Sequence, residues 1–343
     1  MAVSEATSPE KITIFQHVSA VDFLAVTYPT LRRHENTANI VLAHALERAP
    51  TDFVLTECQF VADVDIELPS TAVPPCSANS FWLTVFAHPL DSKPALAIVL
   101  SCLSSPLGNY PVFLWTPDGQ SVSQDRLQLR MNALARYLRA CVEPERVFSI
   151  FGPADVTNSF AKVWTSLTGF QVAPEPLYTA FFAFCTAQTL KPQSVFTQGI
   201  ARRATLLDLE TAALLCEEFS RSSGYPLEST RARDQARALI RKGQLWVFEK
   251  GGEIASICAV TRSSLRVSAI TKVYTTPKHR CNGFAQYLVQ QVTQSRLMQC
   301  GKHSVVLYVG VDNTAKRVYD RVGFDRSALW LELGFIGTHA GHW

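Results

Sequence analysis

The stretch KVYTTPKHRCNGFAQYLVQQV, residues 272–292, decides how this chain is read. Val273, Tyr274, Thr275 and Thr276 favour an extended strand, and Pro277 ends it. Arg280-Cys281-Asn282-Gly283-Phe284-Ala285 then opens an amphipathic helix. Ala285, Leu288, Val289 and Val292 fall at i, i+3, i+4 and i+7 and give it one buried face. A helix that starts just after a strand leaves its first backbone N–H groups unpaired and presents the positive end of its dipole, which suits a phosphate. Gly283 lets a pyrophosphate approach the backbone, and Ala285 keeps the next turn small. Lys278 and Arg280 add positive charge on either side of His279. An ordinary strand-to-helix turn with a solvated basic rim has the same composition, and an isolated R-x-x-G-x-A does not separate the two.

Residues and spacing in the longer pattern go further. V-Y-T-x-P-x-x-R-x-x-G-[YF]-A resembles the acetyl-CoA signature of the GNAT superfamily of N-acetyltransferases, in the branch whose loop reads R-G-x-G-Y-A. Downstream, SVVLYVGVDNTAKRVYDRVGF, residues 304–324, is similar to the second half of the same motif set: a strand, an Asn-containing segment, a helix carrying Tyr319, then Gly323-Phe324. The resemblance is firm from about residue 200 to residue 324 and looser before.

The resemblance implies an α/β (α+β) GNAT fold, with a mixed, mostly antiparallel central sheet flanked by helices. It also implies acetyl-CoA as acyl donor, with the acetyl group passed directly to a small-molecule or peptide amine. By match, the CoA contacts fall to Arg280, Cys281, Asn282, Gly283, Phe284 and Ala285 on the loop, to the strand edge at Val273, Tyr274 and Thr275, and to Asn313. A backbone N–H of that strand edge polarises the thioester carbonyl. Tyr319 matches the tyrosine that protonates the departing thiolate, which a phenol of pKa about 10 is able to do. A tyrosine simply packed with its hydroxyl on a strand is the plainer reading. Two positions depart from the pattern. Cys281 stands where the branch has its first glycine, and Asn313 lies six residues before Tyr319 where seven is usual, so either Asp312 or Asn313 takes the asparagine's place.

Composition is consistent with this. The 343 residues suggest about two domains, and 47% apolar content is ample for their cores. A net charge of +3 offers no stripe for nucleic acid. RARDQARALIRK, residues 231–242, the most basic stretch, reads as a helix with a solvated outer face. The nine cysteines stand at least eighteen residues apart, so no C-x-x-C or metal-type spacing occurs. They read as reduced thiols of a cytoplasmic protein. No secretory leader and no apolar run of transmembrane length is evident, so no membrane association is expected. Oligomeric state is not legible.

The order of elements repeats. Helical spacing covers 21–49 in two pieces, with Pro29 opening the second or separating them. Three short-linked strands follow at 80–89, 94–103 and 110–117, then a helix (124–142), a strand (146–152), a helix (157–170) and a strand (177–184). The second half gives VYTTP, FAQYLVQQV, SVVLYVG, NTAKRVYDRVGF and ALWLELGF in the same succession, at offsets of about 154 to 160 residues. Two GNAT-like copies in tandem are therefore expected: residues 1–195, degenerate, and 196–343, which bind acetyl-CoA. In the first copy DGQSVSQDRLQ replaces the anion loop, Asp118 and Asp125 oppose a pyrophosphate, and Trp164 stands where the second copy has Tyr319.

The general base is the gap. Many GNAT enzymes use a strand glutamate, but RVSAITKVYTTP offers only Ser268, Thr271 and Lys272. Glu217 and Glu218 on a helix read equally as solvated charges, and His279 as part of the phosphate loop. G-x-S-x-G, H-E-x-x-H and the Walker loop are absent. The expected activity is N-acetyl transfer; the alternative is a CoA-binding or structural relative without turnover.

Overall fold

The computed structural model describes residues 10–50, 78–89, 93–105, 108–117, 122–192, 198–223, 225–338 and 341. The chain forms two compact units, and neither is one continuous segment. The first comprises Met1–His34, Ala45–Pro176 and Leu331–Gly341; the second comprises Glu35–His44, Leu177–Trp330 and His342–Trp343.

In the first unit β1 (Lys11–His17) leads into α1 (Ala20–Arg33), and α2 (Asn39–Arg48) is divided between the units. Next come β2 (Phe81–His88), β3 (Ala95–Cys102), the short pair β4 (Ser104–Ser105) and β5 (Gly108–Asn109), and β6 (Val112–Trp115). Then follow α3 (Gln124–Cys141), β7 (Ser149–Pro153) and α4 (Ala154–Thr168). The sheet runs β1-β2-β3-β6-β7, antiparallel as the short connections require, except that β6 and β7, joined through α3, are parallel. Almost every residue of β2 and β3 is buried, the signature of inner strands covered on both faces. Helix α3 contributes Leu127, Met131, Leu134 and Leu138 to the core at helical spacing.

The helical region departs from expectation at Pro29. The helix does not break there; Pro29 lies inside α1, and the interruption comes after Arg33. Proline leaves the carbonyl four residues earlier without a donor. That residue, Ala25, is exposed to solvent.

After Glu35–His44 the second unit continues with β8 (Tyr178–Thr186) and β9 (Ile200–Arg203). Helices α5 (Leu209–Ser222) and α6 (Ser229–Arg241) follow, then β10 (Leu245–Lys250), β11 (Glu253–Ser263) and β12 (Val267–Thr275). The rest is α7 (Phe284–Gln294), β13 (Ser304–Gly310), α8 (Lys316–Val322) and β14 (Asp325–Gly334). The order β9-β10-β11-β12 is an antiparallel meander, and β12 and β13, joined through α7, are parallel, the succession also found in the first unit. Gly251 (φ 57°) and Gly252 (φ 81°) make the β10–β11 turn, since both central residues of such a hairpin sit at positive φ. Helices α5 and α6 pack on one face of this sheet, α7 on the other.

Each unit is finished by a strand from the other half of the sequence. β8, expected to close the first copy, belongs to the second unit and pairs with β13 from Thr186↔Ser304 to Ala180↔Gly310. The segment from Leu331 onward belongs to the first unit. There Ser149 Oγ donates to the buried Glu332 carboxylate at 2.7 Å, and Phe335 N–H donates to Phe148 O at 2.9 Å.

Candidate active site

The site is built on the junction of β12 and α7. After Thr275 the chain makes one tight turn, Pro277–His279, and then needs two left-handed residues to enter α7. These are Cys281 (φ 62°) and Gly283 (φ 79°). Cys281 is the only non-glycine residue at positive φ among the described residues, at the position where the resemblance calls for glycine. Asn282 Nδ2 donates to the carbonyls of His279 (3.2 Å) and Arg280 (2.9 Å), turning those oxygens toward the loop. The opposite face of the backbone is thereby left with donors. Among the described residues, the N–H groups of Cys281, Asn282, Gly283, Ala285 and Gln286 donate to no protein acceptor. A run of unpaired N–H groups at the start of an eleven-residue helix is a ready anion cradle.

The loop side chains divide their work. Phe284 is buried and stacks on Phe248 with ring centroids 4.6 Å apart, so only its backbone faces outward. Arg280 is exposed; its Nε donates to Thr275 O at 3.2 Å and its guanidinium lies over the Tyr274 ring. His279 is held by Thr276 (Nδ1 to Oγ1, 2.9 Å), and Lys278 pairs with Glu253. His279 is thus a structural part of the turn.

Beside the loop, the sheet opens. β12 and β13 pair only at Val267↔Ser304, Ser268↔Val305 and Ala269↔Val306; beyond Ala269 neither strand bonds to the other. The other edge of β12 stays paired with β11 as far as Ser256↔Thr275, and Thr276 N–H donates to Ala255 O at 3.1 Å. Backbone groups alternate along a strand, so Thr276 and Tyr274 address β11 while Thr275 and Val273 address the opening. The Val273 N–H is therefore available to a ligand in the cleft, as is that of Thr275.

A double irregularity sets this phase. The register passes from Ala259↔Lys272 to Val260↔Ile270 and then to Arg262↔Ala269, leaving Thr271 and Thr261 unmatched. The bulge turns Lys272 and Tyr274 toward α5, while Ile270 and Val273 both pack with the α7 side.

Tyr319, on α8, packs edge-on against Phe324 on the α7 side, and its hydroxyl has no hydrogen-bond partner among the described residues. Burial, with the neighbouring Cys258 and Tyr178, holds its pKa well above the usual phenol range. Tyr178 comes from β8 and was not singled out in the sequence; its one signal was its place at the head of the apolar run LYTAFFAF. Asn313 lies in the turn before α8, where its side-chain oxygen accepts the Ala315 N–H at 2.9 Å. Glu217 pairs with Arg221 on its own helix. The Tyr274 phenol is pushed up by burial and then by the adjacent Glu218 carboxylate, while Arg280 acts the other way. No group of acidic, histidine or cysteine side chains among the described residues has the arrangement of a metal site.

Among the described residues, the matching strands of the first unit, β6 and β7, approach each other closely. At Gly152 on β7 an added Cβ would stand 2.8 Å from Leu114 O on β6, so the two backbones are in contact where β12 and β13 diverge. Asp118, expected to oppose a phosphate there, lies outside the described residues.

Residues 248–331, which span the loop, the opening and Tyr319, match the family described as FR47-like protein. No curated protein matches the sequence. Among solved structures, a GCN5-related N-acetyltransferase from Sphaerobacter thermophilus is 16% identical, with 95% of this chain and 96% of that one aligned at a TM-score of 0.50. A Drosophila protein is 12% identical over 96% of this chain and 99% of its own, with a TM-score of 0.58. At these identities the likeness is one of fold. The chain thus has the fold of a solved GCN5-related N-acetyltransferase, with an FR47-like stretch at its cleft.

Proposed function

We propose that the second unit binds acetyl-CoA and passes its acetyl group directly to an amine. The observation that carries this reading is the adjacency of two sets of unused backbone donors, those of Cys281 to Gln286 at the head of α7 and that of Val273 in the neighbouring cleft. The first set, with Arg280, holds the pyrophosphate. The open edge at Val273, Tyr274 and Thr275 takes the pantetheine amides as an added strand, with the Val273 N–H on the thioester oxygen. Asn313 closes the far wall. Tyr319 keeps its proton at neutral pH and gives it to the departing thiolate. Desolvation raises the basicity of that thiolate in the same way as it raises the pKa of the phenol, so the two stay matched.

On this reading the first unit is a degenerate copy, domain 1–195 in sequence, that binds no CoA. The close approach of Gly152 on β7 to Leu114 on β6 supports it. The buried thiols outside any disulfide, among them Cys102, Cys185, Cys216 and Cys258, suit a reducing, cytoplasmic setting.

The test combines acetyl-CoA calorimetry with thiol release across a panel of small amines, amino acids and peptides. Binding at one site per chain together with amine-dependent thiol release is the expected result. Binding without release from any amine identifies a CoA-binding module instead, and absence of binding ends the proposal.

A further inference from the structure

Lys272 stands half-buried on an inner strand of the second unit with nothing acidic to meet it. Its ammonium lies 4.8 Å from the centre of the Phe219 ring, and among the described residues it makes no hydrogen bond and no ion pair. The groups that face it are Cys216 and Phe219 on α5 and Arg262 on β11, whose guanidinium covers the Tyr308 ring of β13. On α5, Glu218 interacts with Tyr274 and Glu217 pairs with Arg221. An ammonium taken out of water without a counter-charge is costly, and a lysine so placed sheds its proton more easily than one in solvent. Burial lowers the Lys272 pKa; Cys216 opposes it, and Arg262, the smallest effect, adds to it.

Its position matters as much as its surroundings. The unmatched Thr271 puts Lys272 on the α5 side, one residue from the Val273 N–H that opens into the cleft. The anion loop and Tyr319 lie on the α7 side, so a donor that enters there leaves the α5 side for the nucleophile.

We propose that Lys272 is the general base that receives the proton of the acceptor's ammonium, an assignment that rests on the acetyl-transfer reading above. The Lys272 Nζ lone pair takes one proton from R–NH3+ and later returns it to water. The freed amine forms the N–C bond as the C–S bond breaks. Its second proton balances the one that Tyr319 delivers to sulfur, leaving an amide, a free thiol and one proton in solution.

Two probe acceptors separate this role from others. n-Butylamine is protonated at neutral pH and needs a base before it attacks; hydroxylamine is already unprotonated. With n-butylamine, Lys272→Met and Lys272→Arg should both lose about 10²- to 10⁴-fold in kcat, the range of general base catalysis, because a guanidinium keeps the charge but accepts no proton. With hydroxylamine both should stay within a few fold of wild type, and acetyl-CoA affinity by calorimetry should be unchanged. For wild type, kcat/KM for n-butylamine should rise with pH through a midpoint below the ordinary lysine range, a limb absent from both variants. Full activity of Lys272→Arg would show that the charge, and not the lone pair, is what matters, and equal losses with both probes would show a structural role; either overturns the assignment. Wild type that binds acetyl-CoA but releases thiol with neither probe removes the acetyl-transfer reading and this assignment with it. Wild-type release with an unaffected Lys272→Met removes the assignment alone.

Discussion

The hydroxyls of Thr261 and Thr271 lie 3.0 Å apart, on the two residues that the pairing of β11 with β12 leaves without partners. The bond joins one bulge to the other and fixes the phase in which Val273 faces the cleft. Removing it by Thr261→Val should cost about 1 kcal/mol, the usual net worth of such a bond, measured by urea unfolding. Turnover should fall by more than that loss of stability explains, while acetyl-CoA affinity stays within about twofold because the anion loop is untouched. Unchanged turnover in a folded variant would dissociate the bulge from the chemistry.

The anion loop yields a pair of opposite expectations. Gly283→Asp puts a carboxylate and a side chain where the phosphate would lie, at a left-handed position, and should weaken acetyl-CoA binding by several kcal/mol. Cys281→Gly removes the cost of holding a side chain at φ 62°, about 1 kcal/mol, and should raise stability with binding retained. Calorimetry beside thermal unfolding decides both. A Gly283→Asp protein that binds normally would move the pyrophosphate elsewhere.

Tyr319→Phe keeps the ring against Phe324 and deletes only the hydroxyl. kcat should drop by about 10²- to 10⁴-fold with little change in the acetyl-CoA KM. Because the pKa of the phenol is raised, wild type should show no falling limb from Tyr319 below about pH 10, the ordinary tyrosine value. A loss under about fivefold would leave Tyr319 a packing residue.

One ion-pair cluster fixes the start of α5. Arg202 on β9 donates to both oxygens of Asp208, at 2.7 and 2.8 Å, and also to Glu249. Asp208 further accepts the Thr205 N–H in a capping box. The Arg202 guanidinium, ahead of the Thr205 bonds, holds the Asp208 pKa down to about 2 against an ordinary 3.8. Its folded-state value is below its unfolded one, so this stabilisation is complete above about pH 4 and lost as pH falls toward about 2. Arg202→Ala leaves Asp208 buried and unpaired and should cost about 3 kcal/mol at pH 7. The deficit should shrink in acid, because Asp208 protonates in the unfolded chains below about 3.8 while folded wild type holds its charge until about 2. Urea unfolding at pH 7 and pH 3 measures it, and an equal deficit at both would place the loss elsewhere.

Much of the fold was legible because its signals are local. The three strands before α3 and the helices α3, α6 and α7 each follow from apolar spacing, and the structure has them within a few residues. The turn at Pro277, the left-handed Gly283 and the entry into α7 could be read because conformation there is dictated by residue type. Pro29 misled, since what decides whether a helix survives a proline is the solvation of a carbonyl four residues earlier, which is a tertiary property. The α5-side orientation of Lys272 was illegible for a related reason. Period-two alternation from Ile270 puts it on the wrong face, and only the unmatched Thr271 reverses that. Tyr178 reaches Tyr319 through a strand pairing between distant segments, which no window of sequence contains.

The provenance of the last strands has a consequence for biosynthesis. When residues 1–176 have left the ribosome, β7 has formed with its outer edge bare, because Leu331–Gly341 has yet to be made. The nascent first unit must wait through synthesis of nearly all the second, with an apolar strand edge open to any passing chain. The second unit, for its part, takes in β8, which was made before any of its other strands. Cutting the gene between β8 and β9 would give each half the other's closing strand, and neither fragment would be expected to remain soluble without its complement.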